Sequence, residues 1–294
     1  MTLDQLQVFV AVAERQHMTR AAEALNLTQS TASAAIAALE SRHGVPLFDR
    51  VGRGLVLSEA GRTLLPYARE VLAAARLADE ALDDLTALTR GHLRLHASQT
   101  VGSYWLPQRI VRFGAAYPAI ETSLMIGNTA QVEAAVLAGD ADLGFIEGPV
   151  ASDQLTMTEI GGDRLVLVCA AGHELAGRKA IGIAQLLSAP WVVREKGSGT
   201  RREAEAALLR AGVNPEERRI ALELPSNEAV LAAVKASDML ALLSELTVAS
   251  ALLAGDIVLL PLAVAPRAFW LVTHSQRRQG RAGAVFGSML RSQE

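Results

Sequence analysis

Two sets of small polar residues have the types and spacing to do recognition chemistry. The first is Gln29, Ser30, Thr31 and Ser33, which follow Thr28 at the start of a predicted helix. Short amides and hydroxyls, with no long charged side chain among them, match the donor and acceptor edges of bases in a DNA major groove. The plainer reading of this stretch is a helical hairpin with a solvated polar face. The second set recurs at three strand-to-helix junctions: Ser98-Gln99-Thr100, Asn128-Thr129 and Gly197-Ser198-Gly199-Thr200. In open α/β sheets, ligands bind beyond the carboxyl ends of strands, where helices begin. Free N–H groups, hydroxyls and the positive helix end together suit a small anion without a dedicated lysine. Any one junction alone also reads as an ordinary helix cap. Glu147, ending another predicted strand, adds an acceptor for a ligand hydroxyl or ammonium.

Catalysis finds little support. The six histidines form no HExxH, and no nucleophile elbow is present. His92 and His96 project from one strand face but lack a third metal ligand nearby in sequence. Gly197-Ser198-Gly199 lacks the third glycine of a dinucleotide fingerprint. The sequence therefore predicts no metal, no cofactor and no enzymatic activity.

The elements that must position the first set are helical. Residues 2–14 read as a helix with a Thr2/Gln5 capping box and a Leu3, Leu6, Phe9, Val10, Ala13 stripe. A second helix, Arg20 to Leu25 with Thr19 as its cap, turns at Asn26-Leu27-Thr28 into a third that ends at His43-Gly44. Ala32, Ala35, Ile36 and Leu39 give the third helix an inward face. Beyond Gly44, Val45, Leu47 and Phe48 look buried, and a turn at Gly52 and Gly54 leads to a strand at Leu55 to Leu57. This is a β-wing with Arg50 and Arg53 at its tip. Residues 1–62 balance six arginines against six acids, yet 42–62 hold four arginines against Asp49 and Glu59. That local excess lies where a duplex backbone would pass. Arg20 and Thr28 complete the candidate DNA-binding residues.

Ser58 caps a long helix from Glu59 to about Arg90, with Pro66 predicting a bend near its start. Leu64, Ala68, Val71, Ala75, Ala78, Leu82 and Leu85 repeat at coiled-coil spacing and predict a dimerisation seam. The alternative is an amphipathic helix packed on its own protein. From Gly91 the texture becomes alternating strands and helices. Strands are expected at 92–98, 120–126, 141–148, 164–170, 190–194, 220–224, 239–243 and 269–273, which implies parallel sheets covered by helices.

The pattern Phe9, Ala21-Ala22, Leu25, Thr28-Gln29-Ser30, Ser33, Leu39-Glu40, Gly44, Leu47-Phe48, Arg50, Leu57, Ala60-Gly61 resembles the N-terminal signature of LysR-type transcriptional regulators. It departs at His43, where the family often has Leu, and at Ser58, where it often has Thr. The resemblance implies an α/β multidomain chain: a winged helix-turn-helix at 1–58, a linker and dimerisation helix at 59–90, and a two-lobed, periplasmic-binding-protein-like (type II) α/β domain at 91–294. Lobe I would hold 91–162 and 267–294, and lobe II 163–266, with crossovers near Gly161-Gly162 and near Val264 to Arg267. The first two junctions would then face the third across a cleft, with Glu147 facing it too. The implied function is a ligand-responsive regulator that binds inverted-repeat promoter DNA as a homodimer or homotetramer, with RNA polymerase as a further partner. Ala97-Ser98 with Val101-Gly102 and Pro107, and Arg194-Glu195 with Gly197 to Arg201, look like branches that sense small oxyanions, phosphorylated sugars or carboxylates.

Composition bounds these readings. In 294 residues the net charge is −3, which excludes a generally basic coat, and 25 of the 28 basic residues are arginine. Cys169 is the single cysteine, so no intramolecular disulfide or cysteine zinc site forms. The N-terminus lacks a signal-peptide pattern, and the longest apolar run, Ile257 to Ala265, is too short to span a bilayer. The expectation is a cytoplasmic protein with no membrane partner. A solute-binding module or enzyme with N-terminal assembly helices is the competing class. The arginines of the wing argue against it, and a gel shift with the chain's own upstream DNA separates the two.

Overall fold

The computed structural model describes residues 1–51, 54–83, 91–150 and 152–291. The chain divides into two compact units, one built on Met1–Thr86 and one holding Ala87–Leu137 and Ala141–Glu294.

The first unit opens with α1 (Leu3–Arg15), α2 (Met18–Ala24) and α3 (Gln29–His43). Both bonds of the predicted capping box form: Gln5 N donates to Thr2 Oγ1 at 3.2 Å and Thr2 N to Gln5 Oε1 at 3.0 Å. The second helix departs from expectation. It begins two residues earlier than Arg20, and His17 rather than Thr19 caps it, its Nδ1 accepting from Arg20 N at 3.4 Å. Starting there follows from Gln16, whose left-handed φ of 49° ends α1 and leaves His17 extended. Thr28 caps α3, and Gly44 (φ 66°) ends it. The wing is β1 (Phe48–Val51) paired antiparallel with β2 (Gly54–Leu57).

Two polar groups fix the wing to the helices. Glu40 Oε1 accepts from Leu47 N at 2.7 Å, and Ser58 Oγ donates to Pro46 O at 2.7 Å while accepting from Gly61 N at 3.0 Å. Gly61 is required here because a Cβ would run into the Leu47 carbonyl. The core beneath holds Leu6, Phe9, Val12, Ala32, Ile36, Leu39 and Leu47, with the Phe48 ring tilted against Phe9 at 5.6 Å. α4 (Glu59–Asp83) continues through Pro66 and adds Ala68 and Leu72 to that core.

The second unit contains β3 (Gly91–Ser98), a π-helical turn at Val101–Trp105, α5 (Pro107–Ala116), β4 (Ile120–Gly127), α6 (Thr129–Ala138), β5 (Leu143–Glu147) and β6 (Leu155–Ala170). It continues with α7 (Ile183–Ser188), β7 (Pro190–Arg194), α8 (Gly199–Arg210), β8 (Arg219–Leu224), α9 (Asn227–Lys235), β9 (Ala241–Ser244), α10 (Glu245–Ala254), β10 (Ile257–Leu260), β11 (Pro266–His274) and α11 (Arg281–Arg291). β6 is the shared strand. Its first part pairs with β11 in a sheet ordered β6-β11-β5-β3-β4. Its last part pairs with β9 and β10, and β9 meets β7 through a bridge at Trp191 and Leu240.

Two lobes, each with its own buried core, therefore hang from β6 and β11. The expectation of parallel sheets holds only for part of the ladder. β3/β4, β3/β5 and β7/β8 are parallel, but β6 pairs antiparallel with β9, β10 and β11, and β11 with β5. A chain that leaves one lobe along β6 must return along β11 in the opposite sense.

Candidate functional site

The helix cap that starts α3 also shapes the first candidate face. Thr28 Oγ1 accepts from Thr31 N at 3.2 Å and lies 2.8 Å from the hydroxyls of both Ser30 and Thr31. Gln29, Ser30, Thr31 and Ser33 are all exposed, as are Arg20 and Arg50. Gln29, Ser33 and Arg50 line a cavity of about 330 Å³ with residues 16–19 and 54–55. The face is thus an open rim of amides and hydroxyls flanked by guanidinium groups. Arg53 lies outside the described residues.

The second candidate is the seam between the two lobes. Thr100 and Thr200, from opposite lobes, are both buried, with hydroxyls 3.4 Å apart. Behind them lies Arg267, which β-ladder register sets directly across from Asp163. Its Nε and Nη2 donate to the Asp163 carboxylate at 2.5 and 3.0 Å, and its Nη1 and Nη2 reach the Thr200 and Thr100 hydroxyls at 3.4 and 3.5 Å. Ser244 donates its hydroxyl to the same carboxylate. Burial pulls the Arg267 pKa down. The Asp163 hydrogen bonds and the charges of Glu147, Asp163 and Glu203 more than offset it, so the net shift is upward and the guanidinium stays charged.

Further bonds lace the lobes shut. Gln99 Oε1 accepts from Asn227 N at 2.8 Å and Asn227 Nδ2 donates to Thr100 at 3.1 Å, while within the second lobe Arg194 holds Asn227 by donating to its Oδ1 at 2.5 Å. Asn128 Nδ2 donates across the gap to Glu195 at 3.2 Å, and Tyr104 donates to Glu228 at 3.0 Å. Burial raises the Glu195 pKa, but its hydrogen bond and charge pairing with Arg194, helped by Asn128, carry it below the ordinary value. For Tyr104, burial followed by the Glu228 hydrogen bond and charge pushes the phenol up to about 12.

Three buried polar atoms in this seam have no hydrogen-bond partner: Ser98 Oγ, Thr129 Oγ1 and Glu147 Oε2. Their residues are 2%, 1% and 1% exposed. Leaving such an atom unsatisfied costs about 1–3 kcal/mol. Thr129 Oγ1 and Glu147 Oε2 gather round Gly199, where a Cβ would sit 2.9 Å from Glu147 Oε2 and against Thr129 Oγ1, while Ser98 ends β3. Ser198 caps α8 by accepting from Arg201 N at 3.4 Å, which leaves the first N–H groups of that helix without intrahelical acceptors. The arrangement brings together buried hydroxyls, one charged guanidinium and one half-used carboxylate. Among the described residues no group of His, Cys, Asp and Glu is placed to hold a metal.

Comparison with known proteins decides the family. The family described as "Bacterial regulatory helix-turn-helix protein, lysR family" matches residues 3–62, and "LysR substrate binding domain" matches 86–294. The chain belongs to the LysR-type transcriptional regulators. An Escherichia coli protein named as the uncharacterized HTH-type transcriptional regulator YeiE is 38% identical over 283 residues, spanning 96% of this chain and 94% of its own. Full-length CbnR complexed with its target DNA shares the fold at a TM-score of 0.70, with 23% identity and 99% of both chains covered. The Synechocystis CcmR regulatory domain in complex with 2-PG superposes at 0.63, with 27% identity, over 69% of this chain and 97% of that one. This regulator is accordingly a ligand-responsive, DNA-binding transcription factor and not an enzyme. No described helix is long and apolar enough to cross a membrane.

Within this LysR-type chain, the structure brings Ser98, Gln99, Thr100, Asn128, Thr129, Glu147, Ser198, Gly199 and Thr200 together at one seam. The expected dimer seam is divided. Ala68 is 1% exposed and Leu64 packs on the same core, because α1 supplies an apolar stripe for that side of α4. Val71 is exposed, Ala75 half-buried and Ala78 exposed, while the side chains of Leu82 and Leu85 lie outside the described residues. Sequence reasoning missed Arg267, Asp163, Asn227 and Arg194. The available signal was positional, since Asp163 and Arg267 stand beside the two expected crossovers, single charges next to apolar strands.

Proposed function

We propose that this regulator reads promoter DNA with Gln29, Ser30, Thr31 and Ser33, anchored through Arg20, Thr28, Arg50 and Arg53. The same reading has it sense a small anionic metabolite between its lobes. The division into 1–58, 59–90 and 91–294 separates reader, linker and sensor. The observation that carries the sensing half is the set of buried, partnerless hydroxyls of Ser98 and Thr129 at the same junctions that bring Thr100 and Thr200 against the charged Arg267. The DNA complex of CbnR and the 2-PG complex of CcmR support both halves by analogy of fold and family. A ligand held by both lobes favours the closed arrangement. A coupling of about 1–3 kcal/mol alters operator occupancy several-fold.

Two copies reading two half-sites pair through the outward part of α4, at Val71, Ala75 and Ala78 with Leu82 and Leu85 beyond. Pairing of such dimers into tetramers, contact with RNA polymerase and a cytoplasmic location belong to the same reading. A thermal-shift screen of inorganic oxyanions, phosphosugars and carboxylates tests the cleft. Thr100→Val and Thr200→Val should blunt the response to any stabilising ligand while basal operator binding persists in a gel shift. Neither variant blunting it would place the site elsewhere. Ala78→Glu should lower dimerisation and operator binding together, and a variant that sediments as a normal dimer would move the interface.

A further inference from the structure

The cleft carries an element that a plain anion site does not need. Glu147 ends β5 and is 1% exposed, so its carboxylate is withdrawn from water. Oε1 accepts only a long bond from the Thr200 hydroxyl, at 3.4 Å, and Oε2 accepts none. The nearby guanidiniums make their hydrogen bonds elsewhere, although the Arg267 charge still acts on Glu147 through space. Arg267 directs its hydrogen bonds to Asp163, Thr100 and Thr200, and Arg202 donates to the Glu147 backbone carbonyl at 3.3 Å. An ionised carboxylate is acceptor-only. Thr129 Oγ1, the other partnerless side-chain atom beside Gly199, is a hydroxyl, as is Ser98 Oγ at the end of β3. A ligand that is anionic on all sides would satisfy those donors and place its charge against the buried Glu147 carboxylate, where the low dielectric leaves the repulsion strong.

We propose that the effector is a small oxyanion that also presents a hydrogen-bond donor of its own, an acid hydroxyl or a neighbouring alcohol. Glu147 Oε2 accepts from that donor. This rests on the oxyanion reading of the cleft and names the class of ligand within it. Ser98, Thr129, Thr200, Arg267 and the first N–H groups of α8 take the charged end, and Glu147 selects for the proton. Glu147 is thus a specificity-determining residue, one that admits hydrogen phosphate or a 2-hydroxy acid and rejects sulfate or the matching plain acid.

The experiment uses the full-length chain and two matched probe pairs at neutral pH, measured by calorimetry or thermal shift. Inorganic phosphate keeps a proton there and sulfate does not, and glycolate carries a hydroxyl that acetate lacks. The parent should bind the donor-bearing member of at least one pair tenfold or more tightly. Discrimination in the first pair assigns the donor to an acid proton, and in the second to an alcohol. Glu147→Gln offers an amide N–H at the same place and should abolish or reverse the preference. Equal binding within both pairs by the parent overturns the proposal without any variant, as does an undiminished preference in Glu147→Gln. If no probe binds, or if Ser98→Ala and Thr129→Val leave probe binding untouched, the oxyanion reading of the cleft fails first and takes this inference with it.

Discussion

The face of α3 and the seam between the lobes are made from the same small polar residues, but they hold them in opposite states. On α3, Thr28, Ser30 and Thr31 bond to one another and remain open to water, so no polar group is left without a partner before DNA arrives. In the cleft, Ser98, Thr129 and Glu147 are dry and incompletely bonded. A solvated group exchanges one partner for another on binding and contributes mostly discrimination. A buried, unsatisfied group regains a full hydrogen bond when a ligand arrives and contributes mostly affinity. The two faces therefore respond differently, and in some cases with opposite sign, to the same kind of substitution.

The largest contrast should come from removing a cation. Arg267→Met leaves the Asp163 carboxylate buried without its cation, with only the Ser244 hydroxyl bonded to it, and should lower stability by about 3–5 kcal/mol in a denaturant titration. Arg50→Met, on the exposed face, should change stability by no more than about 0.5 kcal/mol while weakening DNA binding. Equal stability losses would mean that the ion pair at the hinge is not a structural element.

Next in size is a separation within the reading face. Gln29→Ala should relax operator preference by about 1–3 kcal/mol per lost bidentate contact. Arg50→Ala should weaken operator and random DNA alike and reduce the salt slope by about 1. Salt-dependent gel shifts on both sequences check this. If neither variant differs from the parent, α3 is not a reader.

The sign reversal is a third test. Thr28→Ala removes a helix cap and should destabilise the chain by about 0.5–2 kcal/mol. Thr129→Val deletes a hydroxyl with no partner, so the ligand-free protein should keep its stability or gain up to about 1 kcal/mol, while ligand-induced stabilisation shrinks. Finding Thr129→Val as damaging as Thr28→Ala would show that its hydroxyl is already satisfied.

The smallest effect is acid loosening of the cleft. Because pairing with Arg194 depresses the Glu195 pKa in the folded chain, its contribution is present above its ordinary value of 4.5 and is lost as pH falls through the lower folded value. A melting-temperature profile should therefore drop less steeply below that pH in Glu195→Gln than in the parent. Parallel profiles would remove Glu195 from the account of closure.

What was legible in the sequence follows the range of the interactions. The capping box at Thr2 and Gln5, the cap at Thr28 and the left-handed stop at Gly44 depend on neighbours within a few residues, so residue type alone announces them. The exchange of Thr19 for His17 turned on the backbone of Gln16, which no propensity specifies. The seam from Leu64 was ambiguous because one periodicity serves a helix packed on its own domain and a helix awaiting a partner. Ala68 proved to be the former. The donor-rich junctions were visible since each is contiguous. The Arg267–Asp163 pair was not, because only the antiparallel register of two distant strands brings it together.

That register also determines how the sensor moves. β6 and β11 run unbroken through the crossover, side by side and hydrogen-bonded, with an irregularity between Phe269 and Trp270. Two antiparallel strands held side by side in this way can bend together about a line but resist sliding past each other, as the leaves of a door hinge do. Points far from such a pivot sweep wide arcs, and points on it scarcely shift. Arg267 and Asp163 sit on the pivot. The hydroxyls of Thr100 and Thr200 belong to the two leaves, so any turn about that line would part them from each other while leaving the Arg267 charge in place.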